Sequence, residues 1–223
     1  MNYELVRSSR KTLAIHIANA KIIVKAPLKM PQKYIDDFVD TKKDWINQHL
    51  AISASKKTQK DNFVLNFGDS ILFLGKPYQI IAKKSNKIGF DGANFFAPDS
   101  FDDEQIKKAC VKIYKALAKQ HILQRVDELS KKMGLCFNSI KITSAVTRWG
   151  SCSTKGNINF SWRLVMADEA TIDYVVVHEL AHLKIMNHSK KFWDIIKNVF
   201  PDYQKSRAKL KALGKKLSLE NWG

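Results

Sequence analysis

The chain has 223 residues, and 38 Lys+Arg against 21 Asp+Glu give it a formal charge of +17. Hydrophobic content of 45% and charged content of 26% exclude a disordered or membrane-embedded chain, and no apolar run approaches the ~18–20 residues needed to cross a bilayer. The opening MNYELVRSSRKTL carries charge where a secretory signal needs an apolar stretch. Cys110, Cys136 and Cys152 form no CxxC pair, so a cytoplasmic protein with reduced thiols is expected.

Residues 3–26 alternate as strands do, with Leu13, Ile15 and Ile17 on one face and a turn at Asn19-Ala20 before Lys21–Lys25, which predicts a hairpin. After Pro31, Ile35, Phe38, Val39, Trp45, Ile46 and Leu50 recur at helical spacing and predict one helix to about residue 52. The polar, lysine-rich residues 53–62 read as a surface loop. Residues 63–97 return to short strands punctuated by glycines. Asp102-Asp103-Glu104 suit a helix start, and the apolar series Ile106, Cys110, Ile113, Leu117, Val126, Leu129 and Met133 carries that helix to a C-cap at Gly134. A second hairpin is expected from residues 140–152 and 157–165, turning at 153–156, followed by helices near 168–184, 189–198 and 202–216. The fold class is therefore α+β. A strand-rich N-terminal half with one helix (1–100) precedes a helix–hairpin–helices half (101–223).

His178-Glu179-Leu180-Ala181-His182 forms an HExxH pattern inside a helical stretch. Residues i and i+4 lie ~40° apart around a helix, so both imidazoles reach one ion. Glu179, next to the first histidine, can act as general base on a water at that ion. For this composition a random HExxH has odds of roughly 0.4%. Asp168 or Asp173 can serve the N-terminal turn of this helix. A catalytic zinc (Zn2+) needs a third protein ligand, and His188, six residues past His182, is the candidate. On a continuing helix it would rotate ~240° away, so the helix must end between Leu183 and Asn187. Asn187, tolerant of the left-handed conformation, is the expected terminator. Asp194 and Asp202 are the rival third ligands. Arg148, and less so Arg163, are the cations available to an oxyanion, and the hairpin can offer an edge to an extended peptide.

Several motifs beyond the histidines read together: Arg148-Trp149-Gly150-Ser151-Cys152, Asn159-Phe160-Ser161-Trp162-Arg163-Leu164, and Asn187-His188-Ser189 followed by Phe192-Trp193. With Arg7–Thr12, Ala26-Pro27, Lys43, Trp45-Ile46 and Leu74-Gly75-Lys76 they cover most of the chain. In these the chain resembles the YgjP-like metal-dependent hydrolases, relatives of the SprT and WLM zinc peptidases. The resemblance implies a zincin-like catalytic half, zinc on His178, His182 and His188, and Glu179 as catalytic acid/base. Trp149, Trp162 and Trp193 are expected to serve core or helix packing rather than substrate contact.

The leading reading is a zinc-dependent metallopeptidase acting on protein or peptide substrates through a zinc-activated water. Residues 184–217 hold ten Lys/Arg and only Asp194 and Asp202, a net +8. That basic C-terminal region fits an anionic partner and keeps two alternatives open: a metal-dependent nucleoside triphosphate pyrophosphohydrolase and a nucleic-acid-associated zinc protein. No membrane partner is expected, and oligomeric state is not legible.

Overall fold

Alternation over the first residues becomes a three-stranded sheet in a computed structural model that describes residues 1–223. Strands β1 (Glu4–Ser8), β2 (Ala14–Ala18) and β3 (Lys21–Pro27) lie in the order β1-β3-β2, with β3 parallel to β1 and antiparallel to β2. The β2–β3 turn has Asn19 at φ 50° and Ala20 at φ 60°, the left-handed pair that matches strand twist. Ile22, Val24 and Ala26 face inward and bury against Ile35 and Val39 of α1 (Gln32–Thr41) and Ile46 of α2 (Lys43–Asp61). Arg7 pins the chain after β3 by donating to the carbonyls of Pro27, Leu28 and Met30.

Two expectations change here. The single helix to residue 52 is broken at Lys42 (φ −107°, ψ 11°), and the expected loop 53–62 is helical to Asp61. Residues 53–61 contain no Gly or Pro, and Lys56, Lys57 and Lys60 with Ala54 and Gln59 are good helix formers. Their polarity reflects an exposed helix rather than a loop.

Chain contacts divide the molecule into two units, Met1–Phe63 with Leu217–Asn221, and Val64–Lys216 with Trp222–Gly223. The boundary expected near residue 100 thus falls inside the second unit. Strands 70–98 pack on the long helix that follows them, which joins them to the C-terminal half. This second sheet, in the order β4-β5-β7-β6, comprises β4 (Ser70–Phe73), β5 (Lys76–Lys83), β6 (Gly89–Phe90) and β7 (Phe95–Pro98). Helix α3 (Asp103–Met133) starts in a capping box, where Asp102 accepts from Gln105 N–H at 2.8 Å and Gln105 accepts from Asp102 N–H at 3.0 Å. It stops at left-handed Gly134 (φ 60°). Tyr114 on α3 stacks on Trp162 at 5.4 Å and donates to Leu72 O at 2.6 Å, tying helix, sheet and following turn together.

The expected second hairpin is only half present. β8 (Ser139–Thr143), β9 (Gly150–Cys152) and β10 (Asn157–Ser161) form a sheet in the order β8-β10-β9. β10 is parallel to β8 and antiparallel to β9, so β9–β10 is the hairpin and residues 144–149 loop between separate strands. Residues 162–166 form a 3-10 turn instead of extending β10. Ser161 starts it by accepting from Arg163 N–H. Helices α4 (Glu169–Ala181), α5 (Lys190–Val199) and α6 (Tyr203–Leu217) complete the chain. Six helices and three small sheets make a mixed α+β fold.

Candidate metal centre

Helix α4 carries the HExxH residues, and three contacts fix its position. Asp168 caps its N-terminus by accepting from Thr171 N–H at 2.9 Å. The β4–β5 turn presses on that cap: Leu74 (φ 49°) donates to Val165 O, and a Cβ on Gly75 (φ 76°) would stand 2.8 Å from Asp168 Cβ. Only glycine allows that approach. On the α3 side, Arg125 forks onto both Asp173 oxygens at 2.6 and 2.7 Å and also meets Glu128. Asp173 therefore docks the helix rather than capping it.

The helix ends at Ala181, earlier than expected. Leu183, Lys184 and Ile185 donate to the carbonyls of Leu180, Ala181 and Ala181 in a closing turn. Asn187 does not take the left-handed conformation; its side chain accepts from Ser189 N–H at 3.2 Å and shapes the approach to α5. The turn brings His188 back to α4. His178, His182 and His188 gather with their ligand nitrogens within 4.8 Å of one another, and Nε2 of His188 lies 3.1 Å from Nε2 of His178. Neither Asp194 nor Asp202 joins them; Asp202 pairs instead with Lys205.

The donor set fits a tetrahedral ion. Bonds of ~2.0–2.1 Å from zinc to nitrogen place ligand nitrogens about 3.3 Å apart, close to the His178–His188 separation. Nδ1 of His182 meets Ile185 O at 3.0 Å, which holds the proton there and leaves Nε2 as an acceptor. Burial, with help from the neighbouring His182, His188 and Arg207 charges, pushes His178 down to about 4. Burial also lowers His182. Both imidazoles are therefore neutral at pH 7, the form a metal requires. The ring of Phe192 stacks on His182 at 4.5 Å, and Trp193 stacks on His188 at 5.7 Å while its Nε1 donates to His188 O. Trp193 packs from α5 against Tyr203 of α6 at 5.3 Å, a helix-packing role at the site wall, and Trp162 is fully buried in the core.

Glu179 is 5% exposed, and burial pushes it up to about 8. Its carboxylate lies so close to β9 that a Cβ on Gly150 would stand 2.6 Å from Oε1 and 2.7 Å from Cγ. Gly150 is thus a site residue that sequence reasoning did not single out. Its signal was present only as a glycine in a strand, where close approach of another group is the usual cause. Arg148 is exposed on the loop before β9 and lines a polar cavity of about 220 Å³ with Thr143, Gly150, Ser151, Asn159 and Ser161. Arg163 is buried, donates to Ser144 O at 3.1 Å and covers the Trp162 ring at 4.5 Å, so it serves the core.

Residues 11–213 match the family described as YgjP-like, metallopeptidase domain. The chain belongs to the YgjP-like metallopeptidase family. The match spans both units, so the N-terminal sheet is part of the family's pattern along with the histidine cluster. No protein of curated function matches the chain. Two solved structures are similar over part of it. One is the metallopeptidase zymogen of Pyrococcus abyssi abylysin, with 24% identity, covering 45% of this chain and 97% of that one at a TM-score of 0.38. The other is the metallopeptidase zymogen of Methanocaldococcus jannaschii jannalysin, with 26% identity, covering 43% and 92% at a TM-score of 0.33.

Proposed function

We propose that this YgjP-like metallopeptidase domain hydrolyses peptide bonds with a zinc ion held by His178, His182 and His188. The observation that carries the reading is the cluster itself: three imidazoles with their ligand nitrogens within 4.8 Å, beside the buried Glu179 that follows His178 on α4. Zinc supplies Lewis acidity, polarising the scissile carbonyl and activating a water near neutral pH. Glu179 is the general base. Its carboxyl holds a proton at neutral pH in the metal-free site, and a nearby dication favours the ionised form that can accept one. It then hands that proton to the leaving amine.

Gly150 keeps the Glu179 carboxylate at the strand edge where a substrate backbone would lie, and the short edge strand β9 offers free backbone groups to an extended peptide. Arg148, on the loop entering β9 and exposed to solvent, is the proposed partner of the developing oxyanion. His182 is oriented by Ile185 O and His188 by its closing turn, so neither needs to reorganise to meet the ion.

The test is a screen of purified, zinc-loaded protein against unstructured proteins and nucleoside triphosphates side by side. Cleavage of polypeptide that zinc chelation abolishes and zinc restores supports the reading. Triphosphate hydrolysis with no proteolysis overturns it in favour of a pyrophosphohydrolase.

A further inference from the structure

Behind His188 and His178 stands an aromatic stack that the metal cluster itself does not require. Tyr203 of α6 lies parallel to Trp193 at 5.3 Å on one side and to Tyr174 of α4 at 6.1 Å on the other, with interplanar angles of 20° in both pairs. Tyr174 in turn meets His178 at 6.0 Å. One helical turn past Tyr203, the Arg207 guanidinium carbon sits 5.5 Å from the centre of the Trp193 ring. The stack holds this cation beside the site.

Arg207 is exposed and has no carboxylate partner. Asp202, five residues before it, pairs with Lys205, and Asp168 pairs with Lys209 of the same helix. An unpaired guanidinium beside a cluster suited to a dication is electrostatically unfavourable unless an anion joins them. Arg207 has five N–H donors in a fixed fork, the geometry that grips a carboxylate with two bonds. Through Trp193 it stands at most about 11 Å from the His188 ring. An extended peptide rises ~3.3 Å per residue, so a substrate residue within three positions of the cleaved bond reaches it.

We propose that Arg207, backed by Trp193 and Tyr203, is a specificity-determining residue that binds a substrate carboxylate within three residues of the scissile bond. The proposal rests on the peptidase reading above. The carboxylate has two sources, an acidic side chain or a free chain terminus, and the same guanidinium serves either.

The experiment compares peptides that differ only as Glu against Gln at each position near the cleaved bond. A second pair ends there in a free acid or an amide. Wild-type protein is expected to favour the carboxylate by about tenfold in kcat/KM, a ratio set by one charge-assisted pair. In Arg207→Met that ratio falls to about one while zinc stoichiometry is unchanged, and Arg207→Lys keeps part of it. Lys211→Met removes one charge from the same helix and should keep the full ratio, separating Arg207 from the general basicity of the region. Whichever pair shows the ratio identifies the source.

A ratio near one in wild type, or one that survives Arg207→Met, overturns the proposal. Equilibrium binding of the same peptides to zinc-loaded Glu179→Gln, read by tryptophan fluorescence, tests it without turnover. If the peptidase reading fails, turnover is absent while Arg207-dependent carboxylate binding persists. If the specificity assignment fails, turnover persists and neither turnover nor binding responds to the Arg207 substitution.

Discussion

Replacing Glu179 by Gln in the metal-free protein exposes the cost of burying that carboxylate. In the unfolded chain the group titrates near its ordinary value of 4.5, whereas burial holds it at about 8 in the fold. Between those values the folded state keeps a proton that the unfolded state has lost, so stability falls as pH rises through the window and levels off above it. The separation amounts to up to about 5 kcal/mol across pH 4.5 to 8, at 1.36 kcal/mol per pH unit. Glutamine fills the same space and carries no such linkage. His178 has the opposite sign: held down at about 4, it adds stability that is lost as pH falls below 6.5. Because that contribution is common to both proteins, it cancels in the difference. Urea unfolding of metal-free wild type and Glu179→Gln at half-unit intervals from pH 4.5 to 8.5 gives the difference directly. The variant should gain steadily on wild type with rising pH, and added zinc should flatten the wild-type decline by holding the carboxylate ionised. Parallel profiles for the two proteins would refute the buried, proton-bearing carboxylate.

Gly150→Ala drives a methyl group into the Glu179 carboxylate, whose atoms would lie 2.6–2.8 Å away. Overpacking of this kind costs about 1–3 kcal/mol, and kcat/KM should drop by more than about tenfold because catalytic geometry tolerates little displacement; zinc affinity, measured by competition with a chelator, should hold. His188→Ala should weaken zinc binding by more than about a hundredfold, the upper range for losing an outer-sphere partner, whereas Asp194→Asn and Asp202→Asn should leave it unchanged, since neither carboxylate stands with the histidines. Arg125→Met removes the fork on Asp173 and leaves that half-buried acid unpaired. About 2 kcal/mol of stability should go with it, read as a fall of several degrees in Tm.

Much of the site was legible because its chemistry is written at fixed spacing. HExxH needs only the helical repeat to bring His178 and His182 together, and rotation alone demands a helix end between Leu183 and Asn187, although the helix stops sooner, at Ala181. The end itself came through hydrogen bonds at Leu183–Ile185, which carry no residue signature, so Asn187 drew attention that belonged to a turn without special backbone. Helix α2 runs on to Asp61 where polarity predicts a loop, because polarity in residues 53–61 marks only exposure. The β8–β9 break escaped notice because a short parallel pairing, β8 with β10, has no turn signal of its own. Gly150 and Trp193 gain their meaning from groups 29 and 5 residues away in sequence, Glu179 and His188, so only the assembled fold reveals them.

The central claim is that one zinc on three histidines and one glutamate carry out hydrolysis, and zinc stoichiometry measured together with cleavage of an unstructured protein tests it most directly. Wild type should bind one zinc per chain and cleave, and Glu179→Gln should bind one zinc and not cleave. Cleavage by Glu179→Gln at the wild-type rate, or by wild type stripped of metal, would contradict it.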